Sequence, residues 1–208
     1  MIQYPFGSIL TTKPFGMGST IQSVVSQGLK DCDFEGNQGP RSKKLASKQG
    51  RLVMALILKE SSNKPCVEPG DGGRALGCLQ IHRSYWEDAQ NQRRREQGIT
   101  PNPPTGGSTY GEYIDLTCRE GWFHLNACNY SKCILHYYMR RWAKKKWTDE
   151  NEFSPATVST IHRLGGPRAK EGPPWPILVP TMEDYLKEVQ ENGNYTDEEF
   201  GTVEWDSI

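Results

Sequence analysis

Between Gln49 and Glu60 lies the pattern that most restricts what this chain can fold into. Val53, Leu56, Ile57 and Glu60 fall at i, i+3, i+4 and i+7, and Leu52, Ala55 and Leu58 widen the apolar stripe. That period predicts a helix buried over most of its surface. Such a helix needs partners on several sides, and 208 residues are enough to supply them within one domain. The helix is predicted to stop near Glu60, because Ser61, Ser62, Asn63 and Pro65 are turn formers and breakers. An acid therefore occupies the point where the stripe returns to the core.

The remaining elements follow from the same reasoning. Residues 1–47 are rich in Gly, Ser, Thr and Lys without a sustained period, and read as a poorly ordered extension. Residues Pro65 to Leu76 read as a loop, or a short hairpin turning at Gly72-Gly73. Leu79, Ile81, Tyr85 and Trp86 open a second packed segment, helical from Ser84, and Gly98 to Thr109 forms an exposed loop. Leu135, Tyr138, Met139 and Trp142 make one stripe of an amphipathic helix. Arg140, Arg141, Lys144, Lys145 and Lys146 gather at its C-terminal, negative end. A further helix is expected over Ser154 to Leu164, stopped by Gly165-Gly166-Pro167. From Thr181 onward nine acids face one base, Lys187, which reads as a solvated end. The expected architecture is mainly α-helical, one domain over residues 48–190 followed by an acidic tail, 191–208.

Charge and composition exclude several functions. The 25 basic and 25 acidic residues cancel, so no global field demands nucleic acid or an acidic membrane. Arg93-Arg94-Arg95 and Lys144-Lys145-Lys146 read as solvated helix faces that would also help the protein approach an anionic cell wall. No apolar run reaches the roughly 18 residues that would span a bilayer, so no membrane insertion is expected. His124, Cys128, Cys133 and His136 are too loosely spaced for a zinc site, and neither metal nor other cofactor is expected. The N-terminus lacks the basic start and apolar core of a signal peptide, which by itself suggests the cytoplasm. Six cysteines and two glycosylation sequons, at Asn129 and Asn194, argue for an oxidising compartment, and secretion is the reading adopted. A disulfide is expected between Cys66 and Cys78, with Cys118 to Cys128 or Cys133 as the second candidate.

Two carboxylates carry the chemistry. Glu60 combines partial desolvation with the negative end of a helix, and both disfavour the anion, as a general acid requires. Asp71 stands among Gly70, Gly72 and Gly73, where backbone N–H groups and water keep a carboxylate ionised. An acid and an anion in unlike environments suit glycosidic cleavage. The plainer alternative is a surface acid and a turn former.

The stretch ESSNKPCVEPGDGGRALGCLQI, Glu60 to Ile81, resembles the active-site segment of the lysozyme-like superfamily, where a helix ends in Glu-Ser and a loop leads to Gln-Ile. Three more blocks follow in the family's order. These are Tyr85-Trp86-Glu87-Asp88, then Cys128 to Cys133 running into Tyr138-Met139, and Ile161 to Pro167. The similarity is nearest to invertebrate-type (destabilase) lysozymes and related bacterial and phage muramidases, and covers residues 52 to 167.

The resemblance implies an α+β lysozyme-like fold with a small loop or hairpin region bearing the second carboxylate. It also implies a bacteriolytic muramidase acting as a monomer on peptidoglycan. Glu60 would be the general acid and Asp71 the second carboxylate, with Glu68 as an alternative. Gln80 and Ile81 would line the cleft floor, and Tyr85, His162, Gly165 and Gly166 its border. A lytic transglycosylase, or a binding module for wall or chitin without turnover, are the alternatives. This chain departs from the family in having few cysteines, and in Arg163-Leu164 standing where the family has asparagine.

Overall fold

The computed structural model describes residues 42–64, 67–98, 124–173 and 179–204, with side chains described from Ser131 and from Thr181 in the last two segments. The expected loop at Gly98 to Thr109 falls, but for its first residue, outside them. The protein is mainly α-helical. The helices are α1 (Lys43–Ser61), the single turn α2 (Gly70–Gly73), α3 (Arg83–Glu96) and α4 (His124–Trp142). They continue with α5 (Lys145–Thr148), α6 (Pro155–Leu164), α7 (Gly166–Glu171), α8 (Val179–Asn192) and α9 (Asp197–Phe200). None among the described residues is long and apolar enough to cross a membrane.

Helix α6 is the hub. Every residue from Pro155 to His162 is buried, so this part of the helix has no solvent face and must be surrounded. Its polar residues are satisfied locally, which permits that burial. The Ser159 hydroxyl donates to the Pro155 carbonyl at 2.7 Å and the Thr160 hydroxyl to that of Ala156 at 3.0 Å. Ser154 caps the helix by accepting from Thr157 N–H, and Pro155 occupies the first turn. Around this hub α1 packs along α8, and α3 along α4. Leu52 and Leu56 from α1, Leu79, Leu135, Met139 and Trp147 share one core with Val158 and Ile161 of α6, all at full burial. Each such side chain contributes about 1.5–3 kcal/mol over leaving it in water.

Three expectations need correction. Helix α1 begins at Lys43 rather than near Gln49, because the Ser42 hydroxyl accepts from Leu45 N–H at 3.0 Å and Leu45 is buried. The expected extension therefore gives way to the domain before residue 47. The Lys144–Lys146 cluster does not close one long helix: Lys144 takes φ 48°, and Lys146 is buried against Glu204. The acidic stretch from Thr181 through Glu204 is folded onto the body, with its acids left at the surface. Tyr195 and Phe200 are buried anchors, and the acids find cations, Glu199 with Arg51 and Glu188 with Lys59. No extended strand occurs among the described residues. Gly70–Ala75 forms an isolated antiparallel bridge across the helical turn α2 and Leu76–Ile81 a second just after it, since GDGGRALGC lacks the alternating β-branched residues a ladder needs.

Candidate active site

Glu60 is the penultimate residue of α1, whose end is set by Ser62 in the left-handed conformation (φ 51°) donating to the carbonyls of Ile57 and Leu58. Its side chain is only 13% exposed. Helix α8 lies along α1, and Met182, Tyr185 and Val189 form its buried stripe. That register aims the Tyr185 hydroxyl at Glu60, to whose Oε1 it donates at 2.7 Å. Burial pushes the Tyr185 phenol well above its ordinary pKa, and the Glu60 charge pushes it further. Tyr185 is therefore a permanent hydrogen-bond donor.

His162, from the last turn of α6, faces the same carboxyl. Its Nε2 lies 3.7 Å from Glu60 Oε1, beyond hydrogen-bond reach, and its Nδ1 lies 3.3 Å from the Tyr85 hydroxyl. Burial pulls the imidazole pKa below 6.5, and the opposing influence of Glu60 is smaller. The ring is thus neutral at pH 7 and does not form an ion pair with Glu60.

This has a measurable consequence. The unfolded chain takes up a proton near pH 6.5, whereas the folded protein resists protonation at His162 until a lower pH. The stability contribution is complete above about pH 6.5 and is lost as pH falls from there through the lowered folded value. Urea midpoints measured from pH 7.5 to 5 are expected to fall more steeply for the wild type than for His162→Gln. Parallel slopes would show that His162 titrates normally.

Behind this group stands an aromatic wall. Tyr85 stacks on Tyr138 at 3.4 Å between ring centres, and the Tyr138 hydroxyl accepts from Gly166 N–H at 2.6 Å. Burial raises the Tyr138 phenol to about 12, so it too stays protonated. A Cβ on Gly166 would come within 2.1 Å of the Trp142 ring, which packs flush on this backbone while its indole N–H donates to Asp88. Glycine at 166 is thus explained by close approach.

The residues singled out from sequence divide into four groups. Glu60, Tyr85 and His162 are brought together. Gly166 supports them from behind, its N–H taken by Tyr138, while Gly165 caps α6 at φ 83°. Ile81 is 1% exposed, a core residue rather than an open cleft floor. Gln80 and Asp71 lie on the α2 loop and hold it in shape. The Gln80 side chain accepts from Gly70 N–H and donates to the Gly77 carbonyl, at 2.9 and 3.0 Å. Asp71, with φ 49° and a side chain 51% exposed, receives Arg74 at 3.0 Å and faces His82 at 3.5 Å.

A cavity of about 310 Å³ opens beside Glu60, bounded also by Lys59, Arg163, Thr181, Asp184 and Tyr185. Neither Asp71 nor Glu68 is among its walls. Tyr185 is the residue that sequence reasoning missed. Its signal was present in the Met182, Tyr185, Val189 period, hidden inside a segment read as an acidic end.

Cys78 is a fully buried thiol, so the expected bridge to Cys66, itself outside the described residues, is not made. Cys133 is disulfide-bonded, and its partner lies outside the described side chains. Of the loosely spaced His/Cys group, His136 Nδ1 accepts from the Trp147 indole at 3.1 Å. The side chains of His124 and Cys128 are outside the described set. No group of three or more ligand side chains with metal-binding geometry occurs among the described residues. The chain matches no protein family, no curated protein and no solved structure.

Proposed function

We propose that this protein is a glycosidase of the lysozyme type, a muramidase cleaving the β-1,4 bond between N-acetylmuramic acid and N-acetylglucosamine in peptidoglycan. The observation that carries the proposal is the setting of Glu60. A nearly buried carboxyl at a helix C-terminus accepts the Tyr185 hydroxyl on Oε1, stands beside a neutral imidazole, and opens on a cavity. With Oε1 held, Oε2 is the atom that carries and delivers a proton. Glu60 protonates the leaving glycosidic oxygen as the bond breaks, and the sugar passes through an oxocarbenium-like state. In the hydrolytic reading Asp71 stabilises that cation, attacks it, or activates water. The finer fold assignment, a lysozyme-like α+β domain, belongs to the same proposal and is supported by the paired bridges flanking α2.

A second reading is favoured by one observation. Asp71 is engaged by Arg74 and His82 and does not bound the Glu60 cavity. A lytic transglycosylase needs only the glutamate, because the substrate's own hydroxyl closes on the anomeric carbon and leaves an anhydro end.

Mass spectrometry of peptidoglycan digested by the purified protein tests both. Reducing ends are expected for the muramidase and anhydro ends for the transglycosylase. Absence of fragments would make the protein a binding module instead. Asp71→Asn is expected to lose nearly all activity in the first case and little in the second. An active Asp71→Asn beside an inactive Glu68→Gln would move the second carboxylate to Glu68.

A further inference from the structure

We propose that Arg163 selects for an acidic substituent on the glycan, the lactyl carboxylate of muramic acid, and so makes the site prefer peptidoglycan over chitin. The inference rests on the glycosidase reading for its substrate class, while its geometry is independent of turnover. Arg163 follows His162 at the end of α6 and bounds the cavity into which Glu60 opens. Its side chain is exposed, and its guanidinium lies over the Tyr185 ring, 5.4 Å from the centre. Held over that face, a planar guanidinium keeps its N–H fork available to a two-oxygen acceptor.

The charges around the cavity single out this residue. Lys59 also bounds it, but its ammonium is committed to Glu188. Asp184 and Glu60 are the carboxyl groups of the same walls. Neither carboxylate, nor any other among the described residues, lies within ion-pair distance of Arg163, whereas Arg51, Arg74, Arg83, Arg140 and Arg141 each have one. A cation without an internal carboxylate, beside the candidate acid, can complete its pairing with a charged ligand. Chitin offers hydroxyls and acetamides but no charge. A muramyl unit offers a carboxylate one ether linkage from its ring. The negative charge of Asp184 would repel that carboxylate unless a cation stood between them.

The test measures binding by titration calorimetry in the full chain carrying Glu60→Gln, so that ligand is not consumed. The probes are a muramic-acid-containing oligosaccharide from peptidoglycan and a chitin oligosaccharide of equal length. Adding Arg163→Gln is expected to lower the muramyl-to-chitin affinity ratio by about tenfold, the range for a hydrogen bond to a charged group at a part-open site. Arg163→Lys is expected to recover only part of the ratio, since the fork is lost while the charge remains. An unchanged ratio, an equal loss on both glycans, or no binding of either would overturn the assignment. If the wild type cleaves neither glycan yet the ratio falls as expected, the glycosidase reading fails and the Arg163 assignment stands.

Discussion

Glu60→Gln is expected to lower wall-lytic activity by about 10²–10⁴-fold, the usual contribution of a positioned general acid, while leaving the fold intact. The two side chains have the same shape, and the glutamine carbonyl can still accept the Tyr185 hydroxyl that now bonds Oε1 at 2.7 Å. What the amide cannot do is surrender a proton to a glycosidic oxygen. Because glutamine keeps the volume of this 13% exposed side chain and its acceptor for Tyr185, the thermal transition of the variant should coincide with that of the wild type. Clearing of a cell-wall suspension, followed beside circular dichroism melts, separates chemistry from folding. Tyr185→Phe is the companion variant. It removes one hydroxyl from a 3% exposed ring and is expected to reduce activity by about tenfold, the cost of a lost hydrogen bond to a charged or reacting group. A Glu60→Gln protein that clears walls at the wild-type rate would end the mechanism.

Trp147→Ala is expected to have the largest effect on stability, a loss of about 3–5 kcal/mol. Trp147 is completely buried and is the largest side chain at full burial among the described residues. It joins distant parts of the chain through three contacts. Its indole N–H donates to His136 at 3.1 Å, its backbone carbonyl accepts from Gln49 at 2.6 Å, and Phe153 packs against its ring. Removing the indole leaves a cavity between α1, α4 and α6 that rigid helices cannot fill. For a protein of this size the loss corresponds to a fall in Tm of roughly 6–20 °C. Trp147→Phe retains most of the packing and removes only the donor to His136, so about 1–3 kcal/mol is expected. Guanidinium unfolding of the three proteins distinguishes these outcomes. A loss below about 1 kcal/mol for the alanine variant would mean the core collapses around the site more readily than its packing implies.

The local determinants of this protein are written in its sequence. The i, i+3, i+4, i+7 stripe through Val53 and Ile57 specifies α1, and Ser61 to Asn63 terminate it, because helix period and turn chemistry act over a few neighbouring residues. The same holds for α6, bounded by Ser154-Pro155 and Gly165. It also holds for Glu60, marked by an acid recurring on an apolar stripe. Other features depended on which helix lies beside which. The acidic stretch after Thr181 looked solvated because charge dominates its composition, yet Tyr185, Tyr195 and Phe200 bury it against α1 and α6. No spacing rule connects Tyr185 to Glu60, 125 residues apart, or Trp142 to Gly166. Conversely, Asp71 stands out in sequence by its glycine surroundings, and those glycines shape a loop whose carboxylate is paired with Arg74 and faces His82. Sequence alone determined where α1 stops, where α6 starts and stops, and which acid stands at the end of α1. Tertiary packing decided which groups face that acid, because those contacts arise from the crossing of elements distant in the chain and leave no local pattern.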